Sequence, residues 1–159
     1  MKPTVFAKCL KVVIIGTTLI GLACCIYVIP EIMEIFRTEY PEFAGWLLPW
    51  KILLYVCSVP CFIAMFVCWR IAGNIQKDRS FIKENARLFK IFSFLALGDS
   101  AVFMCGSIVY FILGMNHPGL LIVEMLVVFA GMAVFVCTAA LSYLVSQAAS
   151  LQDDVDLTI

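Results

Sequence analysis

From Val12 to Pro30 the chain carries no charged residue, and three further stretches of comparable length are almost as apolar. An α-helix rises about 1.5 Å per residue, so a hydrocarbon layer about 30 Å thick requires roughly 20 mainly apolar residues. Each stretch meets that length. Their positions predict helices over about 8–36, 49–75, 83–115 and 120–149, followed by a short tail over 151–159 that is acidic and partly apolar. Of the 159 residues, 64% are hydrophobic and 14% charged, and one soluble core cannot hide so much apolar surface. Lipid must cover the remainder. The predicted fold class is an all-α membrane protein, with four transmembrane helices in two antiparallel hairpins over residues 1–150.

Punctuation between the stretches agrees with this division. Pro30 is expected to bend the outer end of the first helix, and Glu31, Glu34, Arg37, Glu39 and Glu42 mark an aqueous segment beyond it. Pro49 suits the first turn of a second helix, and Pro60 predicts a kink in its middle, where membrane helices tolerate proline. Trp46 and Trp50 lie where an interfacial aromatic belt is expected, with Trp69 near the opposite surface. Residues 76–80 read as a loop in which Asp78 or Ser80 caps the third helix. Phe81, Asn85, Leu88, Ile91 and Phe92 recur at helical spacing opposite Lys83, Arg87 and Lys90, which predicts an amphipathic start at headgroup level. Asn116-His117-Pro118-Gly119 is a turn. The first apolar run is longer than a cleaved leader requires and lacks a small-residue cleavage site, so it is expected to be a retained helix.

Charge distribution sets the expected orientation. Lys2, Lys8, Lys11, Arg70, Lys77, Arg79, Lys83, Arg87 and Lys90 fall on one side, and only Arg37 and Lys51 on the other. Basic residues are retained inside, which predicts that both termini and the middle loop are cytoplasmic. The formal net charge is +0, so no direct nucleic-acid binding is expected. Eight cysteines all lie in or beside apolar stretches and read as small apolar filler.

A few polar residues ask for more than lipid. Asp99 lies nine residues beyond Lys90, deep within the third apolar stretch. A carboxylate there costs roughly 2.5–3.5 kcal/mol on the insertion scale, so it should face protein or a water-filled cavity. It is a candidate ligand, ion or proton site, or else a structural carboxyl braced by Ser100 or Ser107. Glu124 is expected nearer the outer interface and is not paired with Asp99. Cys57 and Cys61 share a helix face by their spacing of four. His117 is the single histidine and reads as a turn residue, so no metal site is expected. The chain has no phosphate-binding glycine loop, HExxH or GxSxG pattern, and no serine nucleophile with a plausible histidine base. No enzyme activity and no cofactor are therefore expected.

Several segments occur together in a familiar order. They are Val59-Pro60-Cys61-Phe62-Ile63-Ala64-Met65-Phe66, Ile75-Gln76-Lys77-Asp78-Arg79-Ser80-Phe81, Glu84-Asn85-Ala86-Arg87-Leu88-Phe89-Lys90-Ile91, the His117-Pro118-Gly119 turn, and the terminal Asp153-Asp154-Val155-Asp156-Leu157-Thr158-Ile159. From about Trp50 onward the chain resembles a bacterial family known as domain of unknown function 2975. The tail departs from that family's pattern at Asp154 and Val155, leaving Asp156-Leu157-Thr158-Ile159 as its clear core. The resemblance implies four membrane helices, a bacterial cytoplasmic membrane, and genes commonly adjacent to a small helix-turn-helix regulator of the Cro/CI type.

Two functions are therefore expected to compete. In the first, the chain is a membrane-embedded partner that sequesters such a regulator. Its contact residues are Lys77, Arg79, Phe81, Lys83, Asn85 and Arg87 in the loop, with Asp153, Asp154, Asp156, Leu157, Thr158 and Ile159 in the tail. In the second, it is a small transporter or transport accessory with Asp99 in a polar path, Ser100 and Glu124 being the other intramembrane polar candidates. Four helices are few for a pathway, so this reading requires a homo-oligomer or a larger partner.

Overall fold

A computed structural model describes residues 3–156. The first span is built from α1 (Pro3–Ala23), a π-helical turn (Cys24–Val28) and α2 (Ile29–Glu39). A short 3-10 helix (Pro41–Trp46) leads into α3 (Leu47–Gln76), and α4 (Lys83–Ile112) and α5 (Pro118–Asp156) complete the chain. Among the described residues, four helical segments are long and apolar enough to cross a membrane, at Thr4–Glu39, Ala44–Gln76, Lys83–Ile112 and Pro118–Gln152. Large apolar side chains cover their outer faces: Ile112 is 75% exposed and Phe129 74%. In water such faces would be untenable; against acyl chains they are the expected surface.

Neighbours in sequence are neighbours in space. The main packing contacts join α1 to α3, α3 to α4 and, most extensively, α4 to α5. Close approach depends on small residues. A Cβ on Gly106 would meet Leu53 Cδ2 at 2.7 Å, and one on Gly131 would run into Ser100 Oγ. Polar side chains inside the spans turn back on their own helices: Thr18 Oγ1 donates to Ile14 O at 2.7 Å, and Ser100 Oγ to Ala96 O at 2.8 Å. Val67, Ile71 and Leu88 form the buried core, flanked by Ile75, Phe89, Phe92 and Leu95 near the 77–82 loop.

The turns explain where the helices stop. Asp78 has φ +56° and follows the last turn of α3; Arg79 N–H donates to Asn74 O at 3.0 Å and Asp78 N–H to Ile75 O at 3.1 Å. This is the Schellman pattern with aspartate in the left-handed position. Gly114, at φ +72°, ends α4 the same way: Met115 N–H bonds Tyr110 O at 2.8 Å and Gly114 N–H bonds Phe111 O at 3.1 Å. Asp78 therefore closes α3 and does not cap α4, and Ser80 does not cap it either. The cap position of α4 is Ile82, in extended conformation, with no side-chain cap bond. His117 opens α5, its Nδ1 accepting from Gly119 N–H at 3.1 Å.

Other expectations shift in detail. The segment after Pro30 is a helix continuous with the first span as far as Glu39, and α5 runs through 151–156, which the polarity pattern had separated as a tail. The departure from regular α-geometry in the first span precedes Pro30. Within the π-turn, Ile29 N–H donates to Cys24 O, five residues back. Proline at 30 has no N–H for the next carbonyl in that register, Cys25 O, and Tyr55 Oη of α3 donates to it at 2.9 Å. Pro60 likewise leaves the Val56 carbonyl without its usual donor, yet α3 continues through it.

Candidate functional site

The loop end of the molecule is organised by one side chain. Asn85 sits in the first turn of α4 and is 1% exposed. Its Oδ1 accepts from Asn74 Nδ2 at 2.7 Å, and its Nδ2 donates to Arg79 O at 3.0 Å and Ser80 O at 2.9 Å. Both amide protons and the carbonyl are thus engaged, so its burial leaves no polar atom wanting. Among the expected contact residues, Asn85 is the internal lock, while Lys77, Arg79, Phe81, Lys83 and Arg87 are exposed. Around the lock, Arg70 Nη2 meets Glu84 Oε1 at 2.8 Å, and Lys11 Nζ donates to Gln76 Oε1 at 2.7 Å while lying 5.1 Å from the centre of the Trp69 ring. Ser142 Oγ of α5 donates to Ala86 O at 2.7 Å.

Two grooves meet at Phe81. The first, of about 460 Å³, is apolar and draws residues from every span, among them Phe6, Ile71, Ile75, Phe89, Leu141 and Val145. The second, of about 400 Å³, is lined by Arg79, Phe81, Ile82, Lys83, Glu84, Ala149 and Gln152. It brings the basic loop against the end of α5, two segments that the sequence separates widely. Asp153, Asp154 and Asp156 continue that helix. The expected contacts Leu157, Thr158 and Ile159 lie outside the described residues.

A second polar group lies half-way along the spans. Cys61 Sγ is 3.7 Å from Asp99 Oδ2, and Cys57, one helical turn earlier, is turned to the same carboxylate. Asp99 Oδ1 is buried without a hydrogen-bond partner among the described residues. Ser100 bonds its own helix, and Ser107 Oγ is buried without a partner among the described residues, so neither serine braces Asp99. The cysteine spacing was visible in the sequence; its carboxylate partner was not. Glu124 belongs elsewhere. It is 9% exposed and its Oε2 accepts from Asn116 Nδ2 at 2.8 Å. Close to that turn, Trp50 Nε1 donates to Met115 O and Tyr110 Oη to Pro49 O, each at 3.0 Å. Among the described residues no group of three His, Cys, Asp or Glu side chains is placed to hold a metal ion.

The chain is similar to proteins described as uncharacterized or of unknown function. The chain is 26% identical over 158 residues to the uncharacterized membrane protein YoaS of Bacillus subtilis (strain 168), covering 98% of this chain and 97% of that protein. No solved structure matches. The family model described as protein of unknown function DUF2975 matches residues 31–159, which include the whole 77–82 loop, Asp99 and the acidic end of α5. The chain is a membrane protein whose described residues include four helices long and apolar enough to span a bilayer, and it belongs to the DUF2975 family.

Proposed function

We propose that this protein is a non-catalytic membrane partner that holds a small Cro/CI-type helix-turn-helix regulator at the bacterial cytoplasmic membrane. The observation that carries this reading is the locked loop. Asn85 fixes the backbone at Arg79 and Ser80, so Lys77, Arg79, Phe81 and Lys83 form a preorganised exposed surface. Asp153, Asp154 and Asp156 follow Gln152, which lines a groove with Arg79 and Lys83, and would offer charge complementary to a basic DNA-reading face. The resemblance to a family whose genes commonly neighbour such regulators supplies the partner class. Holding the regulator at the membrane lowers its free concentration at DNA. Native-membrane pull-down of the tagged chain tests this: a co-purifying DNA-binding subunit supports the reading, and its absence in membranes that contain the regulator overturns it.

One observation favours a second reading. Asp99, Cys57 and Cys61 form a polar group at mid-depth, and one carboxylate oxygen has no partner. A small transporter or accessory subunit, completed by self-association, would use such a group in a polar path. In that case the same pull-down returns a permease subunit or further copies of this chain.

A further inference from the structure

The main packing contacts run from α1 to α3, α3 to α4 and α4 to α5, so among the described residues α1 and α5 are the two edges of the bundle. Both edges nevertheless line the apolar groove near the loop. Phe6 of α1 does so together with Ile71 of α3, Phe89 of α4, and Leu141 and Val145 of α5. Asn85 also reaches this groove, but its amide protons and carbonyl are already engaged by the loop and by Asn74. It offers an occupant contact rather than hydrogen bonds.

The second groove continues the first toward the basic loop, and Phe81 lines both. Leu141 and Val145 belong to the apolar groove, Ala149 and Gln152 to the other, and spacings of four, four and three put them on one face of α5. From Leu141 to Gln152 the helix rises roughly 16 Å, comparable with one leaflet of a hydrocarbon layer about 30 Å thick. Arg79 and Lys83 bring positive charge to the Gln152 end. Glu84, which also lines that end, is engaged by Arg70 at 2.8 Å. A basic mouth over an apolar trough one leaflet deep matches a phosphate at the water surface with an acyl chain below it. A peptide of that length would instead carry its backbone N–H and C=O groups into the apolar part, where they would lack partners.

We infer that the two grooves form one site for an anionic phospholipid. Its phosphate lies beside Arg79 and Lys83, and an acyl chain runs along Val145, Leu141 and Phe89. The lipid fills the seam between the edge helices α1 and α5. The site requires no regulator.

Diazirine-tagged phosphatidylglycerol and phosphatidylcholine, matched in acyl chain and each diluted into phosphatidylcholine vesicles holding the full chain, test this by photolabelling and peptide mass spectrometry. At Phe89, Leu141 and Val145 phosphatidylglycerol is expected to label about five-fold or more above phosphatidylcholine, because basic side chains near the surface favour an anionic headgroup. At Phe129, which is 74% exposed, the two lipids should label alike. Arg79→Gln plus Lys83→Gln alters only exposed side chains and should remove the preference in the groove. Leu141→Trp should fill the trough, lowering groove labelling several-fold while leaving Phe129 unchanged. Equal labelling of the parent's groove by both lipids, or a preference that survives the double variant, overturns the site. So does an unlabelled groove, the result expected where a second copy or the chain's own end fills it. None of these results bears on whether a regulator binds, since the vesicles contain none.

Discussion

Asn74 Nδ2 donates to Asn85 Oδ1 at 2.7 Å, and this one bond ties the last turn of α3 to the first turn of α4. Asn74 also closes its own helix, since its carbonyl accepts from Lys77 N–H at 3.1 Å and Arg79 N–H at 3.0 Å. The loop between the spans is thereby held at both ends by asparagines. A surface presented for recognition loses less entropy on binding when it is held in this way.

Asn85→Ala removes three hydrogen bonds and leaves Asn74 Nδ2 and the Arg79 and Ser80 carbonyls to find water. Stability in mild detergent should fall by about 2–3 kcal/mol, the range for buried polar groups left unpaired. Trypsin should cleave after Lys77 and Arg79 faster in the variant than in the parent. Unchanged cleavage would mean that the loop is held by other contacts.

Contact between α4 and α5 makes a second measurable claim. A Cβ on Gly131 would run into Ser100 Oγ, and that hydroxyl is committed to Ala96 O. Gly131→Ala should cost about 1–3 kcal/mol by overpacking. Adding Ser100→Ala should recover a good part of the loss, because it removes the clashing oxygen along with its bond. A double-mutant cycle on thermal unfolding measures the coupling, and additive effects would deny the contact.

How much of this was legible in the sequence differs by level. The spans were readable because lipid demands an unbroken apolar length, and Pro, Gly and charge clusters mark the gaps. The facing of one span toward another was not. A helix that is apolar all round carries no stripe to reveal its partner, so nothing in the spacing of Cys57 and Cys61 points to Asp99. Asn85 reads as one more polar residue in an exposed basic loop; only the fold of residues 74–80 around it makes it internal. Tyr55 and Cys25 meet because a π-turn and Pro30 together leave a carbonyl without a donor, a coincidence of register that propensity does not encode.

Asp99→Leu should insert into the membrane at least as efficiently as the parent, since about 2.5–3.5 kcal/mol of insertion cost is removed. Membrane-integrated protein, measured by pulse labelling and alkaline extraction, should hold or rise. The readings then divide: under the transport alternative, cation flux into proteoliposomes falls in Asp99→Leu, while under the partner reading regulator capture is unaffected. Loss of integration in Asp99→Leu would instead make the carboxyl structural.

Orientation can be tested without any partner. Reporters fused at residue 159 and near Lys77 should give cytoplasmic signals, and one at Glu42 an external signal, as the distribution of Lys and Arg requires. An external signal at either of the first two sites would place the basic loop and the acidic helix end on the wrong side for a DNA-binding partner.

The sharpest test of capture lies in separating the aspartates from the apolar end. Exposed charge pairs contribute about 0–1 kcal/mol each, so Asp154→Lys alone should weaken retention of a regulator only a few-fold. Leu157 and Ile159 are expected to supply apolar anchors, and losing a central anchor costs upward of about 1 kcal/mol. Leu157→Ala plus Ile159→Ala should therefore weaken retention about tenfold or more, even with all three aspartates present. Quantitative proteomics of membrane and soluble fractions reads both variants at once. A regulator that stays in the membrane fraction after deletion of residues 153–159 is not held by this tail, and the loop alone would have to account for it.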